Sequence, residues 1–345
     1  MTQIILYFLT ILLLVIRKKS RIVLGFAYLF LLVLFCFNTG IADRLSYEED
    51  ITLATSINRE LLWQGLLTLF LVNQISIQYL YGIVGFLYIT SLFYVTYKLS
   101  EKCNIVIACY MLGVFFLDVV QLRYTASLIF VLWGFYFLVT SKGFKSVSLF
   151  IIFILLSSFV HASNIIFLLF LIGKLYSRKA TTYITFLSIV VLIFGWLTFT
   201  ELLGVTFNIS EKMDRIVYDE EIKSEHTILV TWISELIVVF MMMYANLVKR
   251  TKKIALSINF NYAMNFAILS MIFIPLIYLS PDIRRSIYFV FVILSAFLYG
   301  EKNFSKSPGL MITPFIVSLF FFWMSTFTGN RMTVFYPLFE NNLLW

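Results

Sequence analysis

Four arginines near the ends of apolar segments are the side chains in this sequence best suited to bind an anion. The planar guanidinium group can bind a phosphate or a carboxylate through two parallel hydrogen bonds, which an ammonium group cannot do. Ionisable residues at membrane depth are functional candidates by default, and the depth of these arginines is inferred from the sequence. The alternative is that each arginine pairs with a nearby carboxylate, such as Asp118 or Asp282. The four residues are Arg123, Arg284, Arg285 and Arg331.

His161 is the second candidate, because it interrupts a long apolar segment together with Ser163 and Asn164. A neutral imidazole can act as a general base, and either protonation state can donate a hydrogen bond to an anion. The alternative is that this histidine only forms a hydrogen bond at the end of a helix.

The polar loop near residue 40 supplies a third candidate pair. Asp43 and Tyr47 are four residues apart, so a helix here would present both side chains on one face. Helix capping and plain solvation are the competing explanations. Aromatic residues that are predicted to lie near the outer face of the membrane, Tyr288 among them, could stack on sugar rings. An interfacial aromatic belt would explain most of these residues without a ligand.

The composition indicates a membrane protein. Of the 345 residues, 61% are hydrophobic and 13% are charged, against roughly 45–50% and about 25% in average globular chains. These values exclude a soluble domain, a disordered chain and a disulfide scaffold, and the net charge of +8 is better explained by membrane orientation than by a nucleic-acid partner. The sequence also lacks a Walker pattern, a zinc motif and an Asp-x-Asp motif, so we expect no metal and no cofactor. A transferase that lacks these motifs would use a lipid-linked donor at the outer face of the membrane.

Apolar runs of about 20 residues predict an all-α bundle of about 12 transmembrane helices, in a single membrane domain over residues 1–345. Two long runs are predicted to be helical hairpins, with turns at 118–123 and 161–164. The predicted spans lie at about 2–16, 22–38, 76–98, 105–118, 122–140, 146–160, 163–177, 183–203, 228–248, 259–280, 286–300 and 309–328.

The distribution of basic residues predicts the orientation. Most of the 26 lysines and arginines fall in alternate loops, beginning with 17–21, which we therefore expect to be cytoplasmic. Both termini and two longer loops, at about 39–60 and 204–227, are then extracytoplasmic. For the later loops to keep this alternation between the two sides, the segment at 60–73 must not cross the membrane. Its polar stripe of Glu60, Gln64 and Thr68 suits a short interfacial or re-entrant helix at the outer face.

Several short motifs follow one another in an order that is similar to one known family. The polar loop with Asp43 and Tyr47 precedes Glu60, which is followed by Gln-Leu-Arg at 121–123, Phe-Val-His-Ala-Ser at 159–163 and Arg-Arg-Ser-Ile-Tyr at 284–288. This layout resembles the EpsG family, the Wzy-type polymerases of capsular, exopolysaccharide and O-antigen repeat units. Asp43 is followed by Arg44, whereas the family more often has an aromatic residue after the aspartate.

The resemblance implies a reaction, a location and a set of roles. A glycan would pass from its polyprenyl-pyrophosphate carrier to a lipid-linked repeat unit, on the outer face of a bacterial cytoplasmic membrane. Membrane lipids, a flippase and a chain-length regulator are the further implied partners, with no nucleic acid. The implied catalytic residues are His161, Arg123 and Asp43, and the implied residues for pyrophosphate and glycan binding are Arg284, Arg285, Gln121, Tyr47, Tyr288 and Ser163.

Four other functions remain open on the sequence. A flippase or transporter of lipid-linked oligosaccharide should show internal repeats and charges near the membrane midplane, neither of which is evident. A membrane acyltransferase would need a histidine near the cytoplasmic side. Another polyprenyl-phosphate-dependent glycosyltransferase and a scaffold without catalysis are the remaining alternatives.

Overall fold

The computed structural model describes residues 2–40, 43–52, 60–194, 225–251, 258–276, 283–301, 307–327 and 335–344. In this part of the chain the structure is helical, and its one extended pairing is an isolated antiparallel bridge between Asn38 and Asn342. The helices are α1 (Thr2–Ile16), α2 (Arg21–Cys36), α3 (Arg44–Thr52), α4 (Leu61–Val72), α5 (Ile77–Leu99), α6 (Cys103–Gly113), α7 (Phe115–Val120), α8 (Leu122–Thr140), α9 (Gly143–Ser158), a 3₁₀ helix (Ala162–Leu169), α10 (Phe170–Leu175), α11 (Arg178–Phe194), α12 (Glu225–Thr251), α13 (Ile258–Ser270), α14 (Phe273–Leu276), α15 (Ile283–Gly300), α16 (Pro308–Phe327) and α17 (Tyr336–Glu340).

Several of these helices have the length and composition that a bilayer requires. Among the described residues, five helical segments are long and apolar enough to cross it, and seven shorter apolar segments have 10–17 residues. The predicted helical fold is confirmed for the described residues, while the number of spans stays a prediction. The five long segments are Ile77–Leu99, Leu122–Thr140, Ile228–Thr251, Asn259–Leu276 and Ile283–Gly300.

Both predicted hairpin turns are confirmed as breaks between helices. Gln121 separates α7 from α8, and residues 159–161 separate α9 from the 3₁₀ helix. The second arm of the later hairpin differs from the prediction, because it begins as a 3₁₀ helix at Ala162 and becomes α-helical only at Phe170.

A buried group of polar side chains explains how the second hairpin is held. The Asn164 amide nitrogen donates to the hydroxyl oxygens of Ser127, at 2.6 Å, and Ser157, at 2.7 Å. The Ser157 hydroxyl in turn donates to the Ser127 carbonyl at 2.9 Å. All three side chains are fully buried, so these hydrogen bonds tie the end of α9 and the start of the 3₁₀ helix to α8.

The helices divide into two compact units, of which the first comprises residues 1–168 and 295–345. In it, α5 packs against α2 and α8, α8 against α9, and α6 against α1 and α16. Every residue of α6 is buried. A Cβ atom at Gly85 would lie 2.6 Å from the Phe35 ring, so the close approach of α5 to α2 requires glycine there.

The two ends of α5 define two ends of this first unit. At the start of α5, Gln78 accepts a hydrogen bond from Arg44 at 2.7 Å, which places the beginning of α3 there. At the far end, Asn104 at the start of α6 holds the turn between α1 and α2 by donating to the carbonyls of Arg17 and Ser20. Helix α5 has 23 residues, so these ends are about 35 Å apart at 1.5 Å per residue.

The second unit comprises residues 169–294 and is built around α13. This helix packs against α10, α11 and α12. The Asn265 amide of α13 donates to the carbonyls of Gly173, at 2.8 Å, and Tyr176, at 3.3 Å, at the end of α10. The predicted outer loop at 204–227 lies mostly outside the described residues, and α12 has already begun at Glu225.

Candidate functional site

An ion pair between Arg123 and Glu60 forms the centre of the candidate site. The Arg123 Nη1 atom lies 3.0 Å from Glu60 Oε2, and the two side chains are only 24% and 16% exposed. Glu60 immediately precedes α4, whereas Arg123 is in the first turn of α8. The other carboxylate oxygen of Glu60 accepts a hydrogen bond from the Ala162 N–H at 3.3 Å. A single carboxylate therefore joins three elements.

The electrostatics of Glu60 keep it ionised. Partial burial raises the pKa of this carboxyl, but the positive charge of Arg123, the N–H groups of Glu60 and Ala162, and the neighbouring His161 lower it by more. The net result is a pKa below the usual value of 4.5. Glu60 is a carboxylate at neutral pH, and it orients the guanidinium group of Arg123.

His161 lies against this pair in the turn that follows α9. Its side chain is buried, and Nδ1 is 3.3 Å from the Ser163 hydroxyl oxygen. The imidazole ring meets the Tyr124 ring edge-on, with ring centres 5.3 Å apart. Since Tyr124 directly follows Arg123 on α8, the sequence-predicted residues Arg123, His161 and Ser163 are brought together.

Tyr47 joins the same cluster from α3. Its hydroxyl oxygen accepts a hydrogen bond from the Arg123 main-chain N–H at 3.4 Å, and its ring lies edge-on to those of Trp63 and Tyr81. The Trp63 Nε1–H and Tyr81 hydroxyl groups are buried and have no hydrogen-bond partner in the part of the chain that the structure describes. Two donors beside Tyr47 are thus left for water or a ligand to satisfy.

Asp43 and Gln121 lie at the borders of this cluster. The Asp43 carbonyl accepts from the Tyr47 N–H at 3.1 Å, so Asp43 begins the turn of α3 that presents Tyr47. Asp43 and Tyr47 both act electrostatically on the hydroxyl group of Tyr81. Gln121 is half-buried and ends α7 two residues before Arg123.

The remaining predicted residues form a second group, in the second unit. Arg284, Arg285 and Tyr288 are in the first two turns of α15. Tyr288 is buried within range of the Arg284 charge and of the Ser234 hydroxyl on α12. Arg331 and Asp282 lie outside the described residues.

The part of the chain described here contains no group of three or more His, Cys, Asp or Glu side chains that could hold a metal ion. A metal-independent reaction stays a prediction.

The comparison with protein families shows to which family the chain belongs. The sequence model of the EpsG family matches residues 21–339, which is nearly the whole chain. The chain belongs to the EpsG family. No curated protein and no solved structure matches it.

Membership confirms the resemblance that the motifs indicated. EpsG is a Wzy-type polymerase family, so an exopolysaccharide polymerase role and a bacterial membrane setting follow at the level of the family. The matched range contains both groups of candidate residues, Arg123 with His161 and Arg284 with Tyr288.

The carboxylate that pairs with Arg123 is not the one that the sequence offered. Asp118, five residues away, is buried and accepts a hydrogen bond from the Tyr88 hydroxyl at 2.5 Å. Glu60 takes its place from 63 residues away. The polar stripe that begins at Glu60 was the available signal, but only the fold shows which cation it faces.

Glu235 is a further candidate that the motifs did not indicate. It is fully buried in the long apolar helix α12, and neither carboxyl oxygen has a hydrogen-bond partner among the described residues. The nearby Ser270 hydroxyl donates to the Ala267 carbonyl instead. Ser234, which directly precedes Glu235 in the sequence, lies next to Tyr288. An acidic residue inside an apolar run is visible in the sequence and is a functional candidate by default.

Proposed function

We propose that this protein is a polysaccharide polymerase that acts on lipid-linked glycans at the extracytoplasmic face of the bacterial cytoplasmic membrane. It would transfer the growing chain from polyprenyl pyrophosphate onto a lipid-linked repeat unit, in capsule, exopolysaccharide or O-antigen synthesis. The observation that carries this proposal is the cluster of Arg123, Glu60, His161 and Tyr47 in a chain of the EpsG family.

Arg123 is suited to stabilise the departing diphosphate. In the reaction, the bond between the sugar C1 and the diphosphate oxygen breaks, and its electron pair stays with the leaving oxygen. A preorganised cation stabilises that developing charge without having to reorganise. Glu60 holds Arg123 through Nη1, and no described residue binds the other guanidinium N–H groups. The arginine is thus oriented and still has donors for a phosphate.

The acceptor hydroxyl must lose a proton as its oxygen forms the new bond to C1. His161 and Asp43 are the proposed acid–base groups, and His161 could also contact a phosphate. His161 is close enough to the Glu60 carboxylate to interact with it electrostatically, so the imidazole is positioned beside the proposed phosphate-binding arginine. Tyr47 would orient Asp43 or a sugar ring.

Glycan hydroxyls would satisfy the remaining polar groups. Trp63 and Tyr81 offer buried donors next to Tyr47, and Gln121 and Ser163 are the proposed contacts near Arg123. In the second unit, Arg284 and Arg285 would bind pyrophosphate, and Tyr288 would contact the glycan.

The relative position of the cluster supports an extracytoplasmic site. Tyr47 contacts Tyr81, one turn from the start of α5, whereas Lys98 is in the last turn of the same helix. The cluster therefore lies at the end of α5 opposite the lysines that the basic-loop rule assigns to the cytoplasm.

Deleting the gene tests the proposed function. Lipid-linked single repeats should accumulate at the outer face while the polymer disappears, and the wild-type gene should restore the polymer.

Arg123→Ala and His161→Ala variants, expressed at wild-type levels, should fail to restore the polymer in the deletion strain. The control Lys142→Ala should restore it, because Lys142 lies at the far end of α8. Full-length polymer from both site variants would refute the assignment. Loss of outward-facing repeats in the deletion strain would support a flippase.

A further inference from the structure

A cavity of about 540 Å³ lies in the first unit, at the end of α5 that is opposite the candidate site around Arg123. It forms where the turn between α1 and α2, the start of α2, the end of α5, the start of α6 and the end of α15 meet. Its lining side chains include Lys19, Arg21, Lys98 and Glu101.

The charge around this cavity is positive. Three cations line it, whereas Glu101 is the one carboxylate among its lining residues. The Lys19–Glu101 pair is 3.8 Å long, and its side chains are 69% and 43% exposed, so it offsets little of that charge. Burial and the charges of Lys18 and Lys19 lower the pKa of the adjacent Lys102. These lysines therefore repel one another when no anion is bound.

Backbone groups add to the positive potential. Helix α6 begins at Cys103, and the side chain of Lys102 at its N-cap position makes no capping hydrogen bond. The first N–H groups of α6 thus carry the positive end of the helix dipole at the cavity wall. Arg21 begins α2 at the same place.

The cavity walls are held in place by close packing. The Asn104 side chain, which is fully buried, donates to the carbonyls of Arg17 and Ser20 and thereby positions the turn that carries Lys19. A Cβ atom at Gly300 would lie 2.3 Å from the Leu99 carbonyl oxygen. Only glycine lets the end of α15 close against the end of α5.

We propose that this cavity binds the phosphate group of an anionic phospholipid headgroup. Its position supports a lipid over a soluble phosphate. Arg21 begins an apolar helix, and Lys98 is in the last turn of a segment long enough to cross the bilayer, so both cations lie where headgroups are found. Basic pockets between helices on the cytoplasmic side are typical sites for such headgroups. The proposal does not depend on the polymerase reaction.

Titration of the full-length chain in detergent tests this site. Short-chain phosphatidylglycerol, phosphatidylcholine with the same acyl chains, and inorganic phosphate are added separately, and binding is followed by native mass spectrometry and calorimetry. Phosphatidylglycerol should bind saturably, and Arg21→Gln with Lys98→Gln should weaken it by about fivefold for each cation removed. The matched control is Lys142→Gln with Lys145→Gln, two exposed lysines outside the cavity, which should bind like wild type.

Each contrary outcome has a distinct meaning. Equal weakening by both double variants would show a general surface-charge effect and overturn the site. Equal binding of phosphatidylcholine would show that the site does not recognise the net negative charge of the headgroup, and it would also overturn the proposal. Inorganic phosphate that binds as tightly as phosphatidylglycerol would assign the cavity to a soluble phosphate instead. If the double variant does not fold, Lys98→Gln alone is decisive, because Lys98 is exposed and its loss leaves the helix packing unchanged.

Discussion

The Arg123–Glu60 pair is the residue-scale feature on which the candidate site depends. The motifs identified Arg123, His161 and Ser163 as candidates because of their positions in hairpin turns. They could not identify Glu60 as the partner of Arg123, since a contact across 63 residues depends on where the fold brings the start of α4 and not on any local pattern. For the same reason, the sequence could not show that the Trp63 and Tyr81 donors are buried.

Exchanging the two charges separates a structural role of this pair from a chemical one. Arg123→Glu alone should prevent polymer formation and lower stability by roughly 1–3 kcal/mol, because Glu60 then faces a like charge. The double variant Arg123→Glu with Glu60→Arg should recover the thermal midpoint but not the polymer, since the cation no longer lies on α8. Thermal unfolding and polymer analysis on gels check both outcomes. Recovery of polymer in the double variant would mean that the pair only holds the fold.

The lowered pKa of Glu60 predicts a specific dependence on pH. Because the pKa of Glu60 is lower in the folded chain than when unfolded, its contribution to stability is complete above about its ordinary value of 4.5. That contribution is lost as the pH falls from there through the lowered pKa of the folded state. Thermal midpoints of wild type and Glu60→Gln, measured in detergent from neutral pH downward, should therefore converge in acid. A constant difference between the two curves would contradict this linkage.

At the scale of elements, most helices and both polar interruptions were predictable, but the break at Val114 between α6 and α7 and the form of one arm were not. Hydropathy and the polar turns at 118–123 and 161–164 placed the breaks of both hairpins. Helix α4 buries Trp63, Leu67 and Phe70, whereas its exposed residues are largely leucine and valine, and its position at the membrane surface stays a prediction. The 3₁₀ helix after His161 depends on hydrogen bonds from Asn164 to two distant serines, and sequence periodicity carries no sign of such contacts.

Removing the Asn164 side chain should loosen the turn that holds His161. Asn164→Ala deletes two buried hydrogen bonds, and we expect a loss of about 1–2 kcal/mol, given that such bonds in membrane proteins are each worth roughly 0.6 kcal/mol or somewhat more. Polymer yield should fall with it, because His161 lies three residues away. The control is Ser158→Ala, whose exposed hydroxyl only donates to Leu155 within α9. Equal thermal midpoints for Asn164→Ala and wild type would contradict this role.

At the scale of the whole molecule, the sequence predicted which loops share a side, and the first unit agrees with that grouping. The loops at 17–21 and 98–102 meet at one end of α5, and the polar loop near residue 40 lies at the other. The division into two compact units was not predicted. It depends on which apolar faces pack together, and in a membrane protein nearly every helix face is apolar.

Labelling of single cysteines in intact cells tests the central claim, that the Arg123–His161 cluster faces the outside. In a polymer-producing variant without Cys36, Cys103 and Cys109, a cysteine is placed at Ser46, an exposed residue next to Tyr47, or at Lys142, beyond the far end of α8. A membrane-impermeant thiol reagent should label Ser46→Cys in intact cells and Lys142→Cys only after permeabilisation. The reverse pattern would place the cluster in the cytoplasm and contradict the proposed reaction.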